Sequence, residues 1–213
     1  MKRLILFDLD GTLIDPYDAI TKGAQYALAS VGFDLDDRQQ LIPFIGPPLR
    51  DSLRKFTKIT DNAKIEEIVS KYREYFGKYG IYENILYPGI KEMLESLKET
   101  GYPLTIATSK LMSNAVEIAQ YLEIEHYFDL IIGCEADGTR SDKNEVIEHV
   151  LAEMGSKAKS PVIVGDRKYD IIGAKLTGID SIGVTWGYGS REELEEAGAG
   201  KVVDTMEELL QSV

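Results

Sequence analysis

One cysteine, two histidines and one tryptophan stand in 213 residues, and those scarcities exclude a good deal. A lone Cys134 cannot close an internal disulfide, and such sparing use of cysteine fits a reducing compartment. His126 and His149 lie too far apart in the chain for metal-ligand spacing, so neither is assigned a role. Positive charge is also short. Against 36 Asp and Glu there are 24 Lys and Arg, a formal net charge of -12. A field of that sign repels nucleic acid and anionic membrane, and neither is expected as a partner. It also means that an anionic substrate needs a local cation to hold it. No apolar run approaches the length of a membrane span. The start, Met1-Lys2-Arg3 and four apolar residues before Asp8, is too short for a secretory signal, so a cytoplasmic location is expected. Low-complexity tracts and internal repeats are missing as well.

What is present begins with Asp8-Leu9-Asp10-Gly11-Thr12. These residues follow Arg3-Leu4-Ile5-Leu6-Phe7, which reads as a buried parallel strand. Two acids at the carboxyl end of such a strand fall where open α/β sheets bind ligands. Asp-Gly is also a hairpin signal. No second alternating strand follows, however: Asp15-Pro16 opens a helical pattern instead, with Asp15 expected as N-cap and Pro16 as the first helical residue. Apolar residues then recur at helical spacing through Val31. Further helices are expected over 36–44, over 49–56 and from Asp61 to about Tyr79, and no strand is expected between 15 and 87. The Tyr72, Tyr75, Phe76 and Tyr79 cluster reads as packing between these helices.

After Tyr87-Pro88-Gly89 the pattern alternates. Strands are expected at 104–107, 129–132, 162–164, 181–185 and 201–203, with helices between them. Alternation of this kind specifies a parallel sheet covered by helices on both faces, and the first strand belongs to it. The fold class is therefore α/β, a Rossmann-like doubly wound parallel sheet interrupted by an all-helical insertion. Residues 1–14 and 88–213 form the core, and 15–87 the insertion. Residues 186–189 read as a packed loop.

The ends of the core strands share a chemistry. Thr108-Ser109-Lys110, Asp142-Lys143-Asn144 and Gly165-Asp166-Arg167-Lys168-Tyr169-Asp170 join Asp8 and Asp10. Oxygen ligands gathered in one crevice suit Mg²⁺, which neutralises charge that would otherwise set a carboxylate against a phosphate. Asp8 is placed to attack phosphorus and Asp10 to move the proton. Thr108, with the N–H groups around Ser109, suits phosphate oxygens, and Lys143 supplies a point charge.

These residues carry a family resemblance. DLDGT at 8–12, ATSK at 107–110, Lys143 within DGTRSDK, and GDRKYD at 165–170 resemble, in that order, the motifs of haloacid-dehalogenase-superfamily phosphatases. GPPLR at 46–50 and WGYGSREEL at 186–194 resemble stretches of the phosphoglycolate-phosphatase-like branch, which carries a helical cap. The resemblance implies Asp8 as nucleophile and metal ligand. It implies Asp10 as general acid/base with its carbonyl on the metal, Asp166 as the third protein ligand, and Asp170 behind them. It further implies Gly11, Thr108, Ser109, Lys143 and Arg50 as substrate-binding residues, and 15–87 as a cap that closes over the site. The substrate is expected to be a small phosphorylated metabolite, phosphoglycolate-like or a nucleoside monophosphate. Ile20 stands where related mutases carry a cap histidine, which favours hydrolysis over a sugar phosphomutase. A non-catalytic binding protein would be expected to have lost one of the acids, and all are present. A monomer is the default, with a homodimer as the alternative.

Overall fold

The computed structural model describes residues 2–213; Met1, the first residue of the expected core, lies outside them. Within them the chain forms two compact units, one comprising residues 2–15 and Leu86–Val213 and the other Pro16–Ile85.

In the first unit, β1 (Ile5–Phe7) is three residues long and wholly buried, as Leu, Ile and Phe between two parallel neighbours should be. Two short strands follow in sequence, β2 (Ile14–Asp15) and β3 (Ile85–Leu86), which pair with each other as a separate two-stranded sheet. The strand-free stretch expected over 15–87 is corrected here at both ends. Two-residue strands leave no alternation to detect, and their pairing partner lies some seventy residues away.

The main sheet continues with β4 (Leu104–Leu111), β5 (Leu130–Cys134), β6 (Val162–Gly165), β7 (Asp180–Val184) and β8 (Lys201–Val203). All pairings in it are parallel, in the spatial order β5-β4-β1-β6-β7-β8. Numbered within the sheet this is the 3-2-1-4-5-6 order of a doubly wound fold, whose switch point falls beside β1. Phe7 pairs in register with Ile106 on one side and Val164 on the other. Residues just after these three positions therefore meet at the crevice.

The helices of this unit are Ile90–Glu99, Met112–Tyr121, Lys143–Met154, Lys168–Thr177, Arg191–Ala197 and Met206–Leu210. Leu4, Leu6 and Ile163 project to one face of the sheet, where they pack with Val146, Ile147, Val150 and Ala174. Ile5 and Phe7 project to the other by the alternation of a strand, and Phe7 meets Phe128 edge-on at 6.4 Å between centroids.

The second unit is helical. It comprises Tyr17–Ala29, a 3-10 segment Arg38–Phe44, Leu49–Thr57 and Asn62–Lys78. Asp61 caps the last of these by accepting from Ala63 N at 2.9 Å. Two local expectations are corrected. Asp15 is not an N-cap: the capping position is Pro16, with no side-chain cap, and the Asp15 carboxylate accepts from the Tyr188 hydroxyl. The helix expected over 36–44 is a 3-10 segment capped by Asp37, because Pro43 has no N–H for a regular ladder. Tyr72 stacks on Phe76 at 5.5 Å, and Tyr75 lies 5.5 Å from Tyr26 and 5.3 Å from Tyr79. No described helix is long and apolar enough to cross a membrane.

Leu6 is fully buried between the central strands, and a cavity there has no loop to collapse into. Leu6→Ala should lower the unfolding free energy by about 2–5 kcal/mol, measured by urea denaturation.

Candidate active site

Four chain segments converge at the carboxyl ends of β1, β4 and β6. Asp8 follows β1 directly, held by its backbone N–H to Val164 O at 2.9 Å. Lys143 is the first residue of the helix Lys143–Met154, and its ammonium is buried. It lies 2.8 Å from Asp8 Oδ1, 2.8 Å from Asp170 Oδ1 and 3.0 Å from the carbonyl of Ala107. Asp166, which follows β6, is fully buried and accepts from Tyr188 N at 2.8 Å and Thr12 Oγ1 at 3.4 Å. Asp170 also accepts from Arg167 N at 3.1 Å, which fixes it across the start of its own helix.

Backbone permissiveness makes this packing possible. Gly11 has φ +84, and a Cβ there would lie 2.2 Å from an oxygen of Asp166. A Cβ at Gly165 would lie 2.2 Å from the Asp170 carboxyl carbon.

Ligand oxygens of Asp8, Asp166 and Asp170 all lie within 4.8 Å of one another. Burial pushes the Asp166 carboxyl well above the usual carboxylate range, and the nearby Asp170 and Asp8 push it further. Burial likewise raises Asp170, to about 6, although Lys143 opposes it. Burial pulls the Lys143 ammonium down, yet Asp170 and Asp8 outweigh it and hold the group above its ordinary value. Three buried carboxylates thus face one ammonium, leaving negative charge in excess. Their all-oxygen donor set and that excess fit a hard divalent cation such as Mg²⁺.

Asp10 takes a different partner. Its Oδ2 pairs with Lys110 Nζ at 2.8 Å, and both side chains are largely buried. Burial raises its carboxyl, against the lowering effect of Lys110. Thr108 is buried beside them, and its Oγ1 accepts from Lys110 N at 3.2 Å. Ser109 is half-buried on the same strand end. Of the residues expected from sequence, the structure therefore gathers Asp8, Lys143, Asp166 and Asp170, with Gly11 beneath them. Asp170, expected behind the metal ligands, brings a carboxylate oxygen within 4.8 Å of those of Asp8 and Asp166. Arg50 belongs to the helical unit, where its guanidinium makes a bidentate pair with Glu66 at 2.6 and 2.8 Å.

Three residues near these acids had no expected role. Lys110 was legible in principle, since positions two apart on a strand share a face and Thr108 was already singled out. Tyr188 and Trp186, whose indole donates to Thr12 O at 3.0 Å, fall in the 186–189 stretch that reads from sequence as a packed loop, with no individual role assigned to either.

A doubly wound sheet with buried acids and a lysine at its switch point defines an α/β protein with an oxygen-rich site at its strand ends. Comparison with known proteins makes this specific: the model of the haloacid dehalogenase-like hydrolases matches residues 5–184, and the chain belongs to that family. It is 45% identical over 190 residues to a 5'-nucleotidase of Pseudomonas aeruginosa, covering 89% of this chain and 86% of that one. It is 33% identical over 213 residues to the tyrosine-protein kinase PtkA of Mycobacterium tuberculosis, covering 99% and 72%. Among solved structures, a predicted phosphatase from Clostridium acetobutylicum superposes with a TM-score of 0.94 at 38% identity, over 100% of this chain and 98% of that one. The protein is an enzyme of the phosphatase class.

The raised Asp166 carboxyl has a thermodynamic consequence. Its folded pKa lies above the unfolded value of about 3.9, so its unfavourable contribution is absent at low pH and grows as pH rises. In metal-free protein, Asp166→Asn should therefore raise Tm relative to the parent more at pH 7.5 than at pH 4.5. Added Mg²⁺ should reverse the order at pH 7.5, as followed by thermal denaturation.

Proposed function

We propose that this protein hydrolyses the phosphomonoester of a small phosphorylated metabolite, through an aspartyl-phosphate on Asp8, with Mg²⁺ as cofactor. The observation that carries the reading is the Lys143 ammonium 2.8 Å from both Asp8 and Asp170, with Asp166 beside them. Asp8, Asp166 and Asp170, with the Asp10 carbonyl, would hold Mg²⁺, which would supply the charge that lets a carboxylate meet a phosphate dianion. Asp8 attacks phosphorus with one carboxylate oxygen, and the bond to the leaving oxygen breaks. Protonated Asp10 gives that oxygen its proton. It then takes one from water as the hydroxyl displaces Asp8 and releases phosphate. Lys143 neutralises the nucleophile and the transferring group. Thr108 and the backbone around Ser109 and Gly11 hold phosphate oxygens.

Nucleoside monophosphates are the favoured substrates, a choice supported by the 45% identity to the Pseudomonas aeruginosa 5'-nucleotidase; phosphoglycolate-like esters come next. Selectivity is assigned to the helical unit Pro16–Ile85, acting as a cap, with Arg50 as its candidate substrate contact. Ile20 favours transfer to water over return to a sugar phosphate.

Purified protein with Mg²⁺ should release phosphate from a panel of such esters. EDTA should abolish turnover and Mg²⁺ restore it. Asp8→Asn should lower kcat by roughly a thousandfold or more, and Asp10→Asn by about 10²–10⁴. Full turnover by Asp8→Asn would defeat the covalent mechanism. A broad screen without turnover would favour a binding protein.

A further inference from the structure

The Lys110–Asp10 pair is an unusual use of a lysine. Its ammonium is buried at the end of β4, in the unit that also holds Asp8 and Lys143. Burying two opposite charges together adds little net stability, because desolvation offsets their attraction. The pair does fix geometry. Lys110 engages Oδ2 of Asp10 at 2.8 Å, while Oδ1 is buried and accepts no hydrogen bond among the described residues. One oxygen of the carboxyl is anchored by the ammonium, and the other is buried without a hydrogen bond among the described residues.

Strand geometry places the lysine there. β4 runs past Ala107 to Leu111, with a register shift against β5 between those residues. The shift brings the Lys110 carbonyl so near Gly133 that a Cβ on Gly133 would lie 2.4 Å from it. The two active-site lysines then have separate partners: Lys143 the pair Asp8 and Asp170, Lys110 the side chain of Asp10.

We propose that Lys110 is the positioning residue of Asp10: it anchors Oδ2 so that Oδ1 faces the departing oxygen and hands over the proton. This rests on the reading of Asp10 as the acid/base group. Asp8 forms the new bond to phosphorus, the leaving oxygen takes the P–O electron pair, and the proton on Asp10 Oδ1 moves to it. Lys110 gives up no proton and touches no substrate atom. Its loss should therefore matter only where the leaving group needs a proton.

Two shape-matched substrates separate this from other roles. p-Nitrophenyl phosphate leaves as a stable phenolate, whereas p-nitrobenzyl phosphate, one methylene longer, leaves as an alkoxide that must be protonated. The ratio kcat/KM reports only steps up to leaving-group release, so the later water step does not confuse it. Lys110→Met should lower kcat/KM for p-nitrobenzyl phosphate by about a hundredfold and for p-nitrophenyl phosphate by less than about threefold. Lys110→Arg, which keeps the charge, should recover about tenfold or more of the alkyl-ester loss. In an Asp10→Asn background, adding Lys110→Met should change the alkyl-ester value by less than about twofold.

Equal loss on both substrates overturns the proposal, and so does a further tenfold loss in the Asp10→Asn background; either would make Lys110 a phosphate-binding or purely structural cation. Should Lys110→Met fail to fold, the same two comparisons with Lys110→Gln decide the matter. Failure of the wild-type enzyme to turn over either ester, or full activity of Asp8→Asn, would instead defeat the reading of the site itself.

Discussion

A buried ammonium holding two carboxylates is the constraint around which the core unit is arranged. Lys143 sits between Asp8, from the end of β1, and Asp170, from the first turn of its helix, and also donates to a β4 carbonyl. Without that charge, Asp8, Asp166 and Asp170 would be three mutually repelling acids in a place that burial already makes hostile to them. The ammonium alone does not balance them. This residual imbalance leaves the crevice a set of oxygen donors of the kind a small, hard cation would fit.

The acids are held by parts of the chain that carry no chemistry themselves. Residues 186–189 fold over Asp166, with the Tyr188 backbone donating to its carboxylate. The Tyr188 hydroxyl reaches Asp15, and the Trp186 indole reaches the Thr12 carbonyl, so one loop ties the segments after β1 and β6 together. Arg167 links to Glu193 at 2.9 Å and so fixes the residue next to Asp166. Preorganisation of this kind comes from surrounding contacts that lock each acid in one rotamer.

Much of this was legible in the sequence, for a physical reason. β1 and β6 are apolar runs with β-branched residues, and a strand buried on both faces must be written that way. The acids follow these runs directly, so knowing the strand ends was enough to place Asp8 and Asp166 near each other. Legibility failed where a distant partner outweighed a local preference. Asp15 before Pro16 is a sound capping signal, but Tyr188, 173 residues later, takes its carboxylate. β4 continues through Thr108-Ser109-Lys110 although those residues are polar, because Thr108 and Lys110 share one face of the strand and turn toward the Asp10 carboxylate and not a core. That continuation hid Lys110. Pro43 is visible in the sequence, but the apolar spacing around it is that of a regular helix and conceals the effect of its missing donor.

The strand pair Ile14–Asp15 and Ile85–Leu86 gives the chain a modular grammar. The seventy residues between them begin and end side by side, so the entropic toll of closing that long excursion is met by a local staple and not by the parallel sheet. Replacing the excursion with a shorter or differently folded segment would leave β1 and β4 in register and the acids where they are. The helical excursion can therefore diverge in sequence and length while the strand ends that hold the acids keep their own spacing.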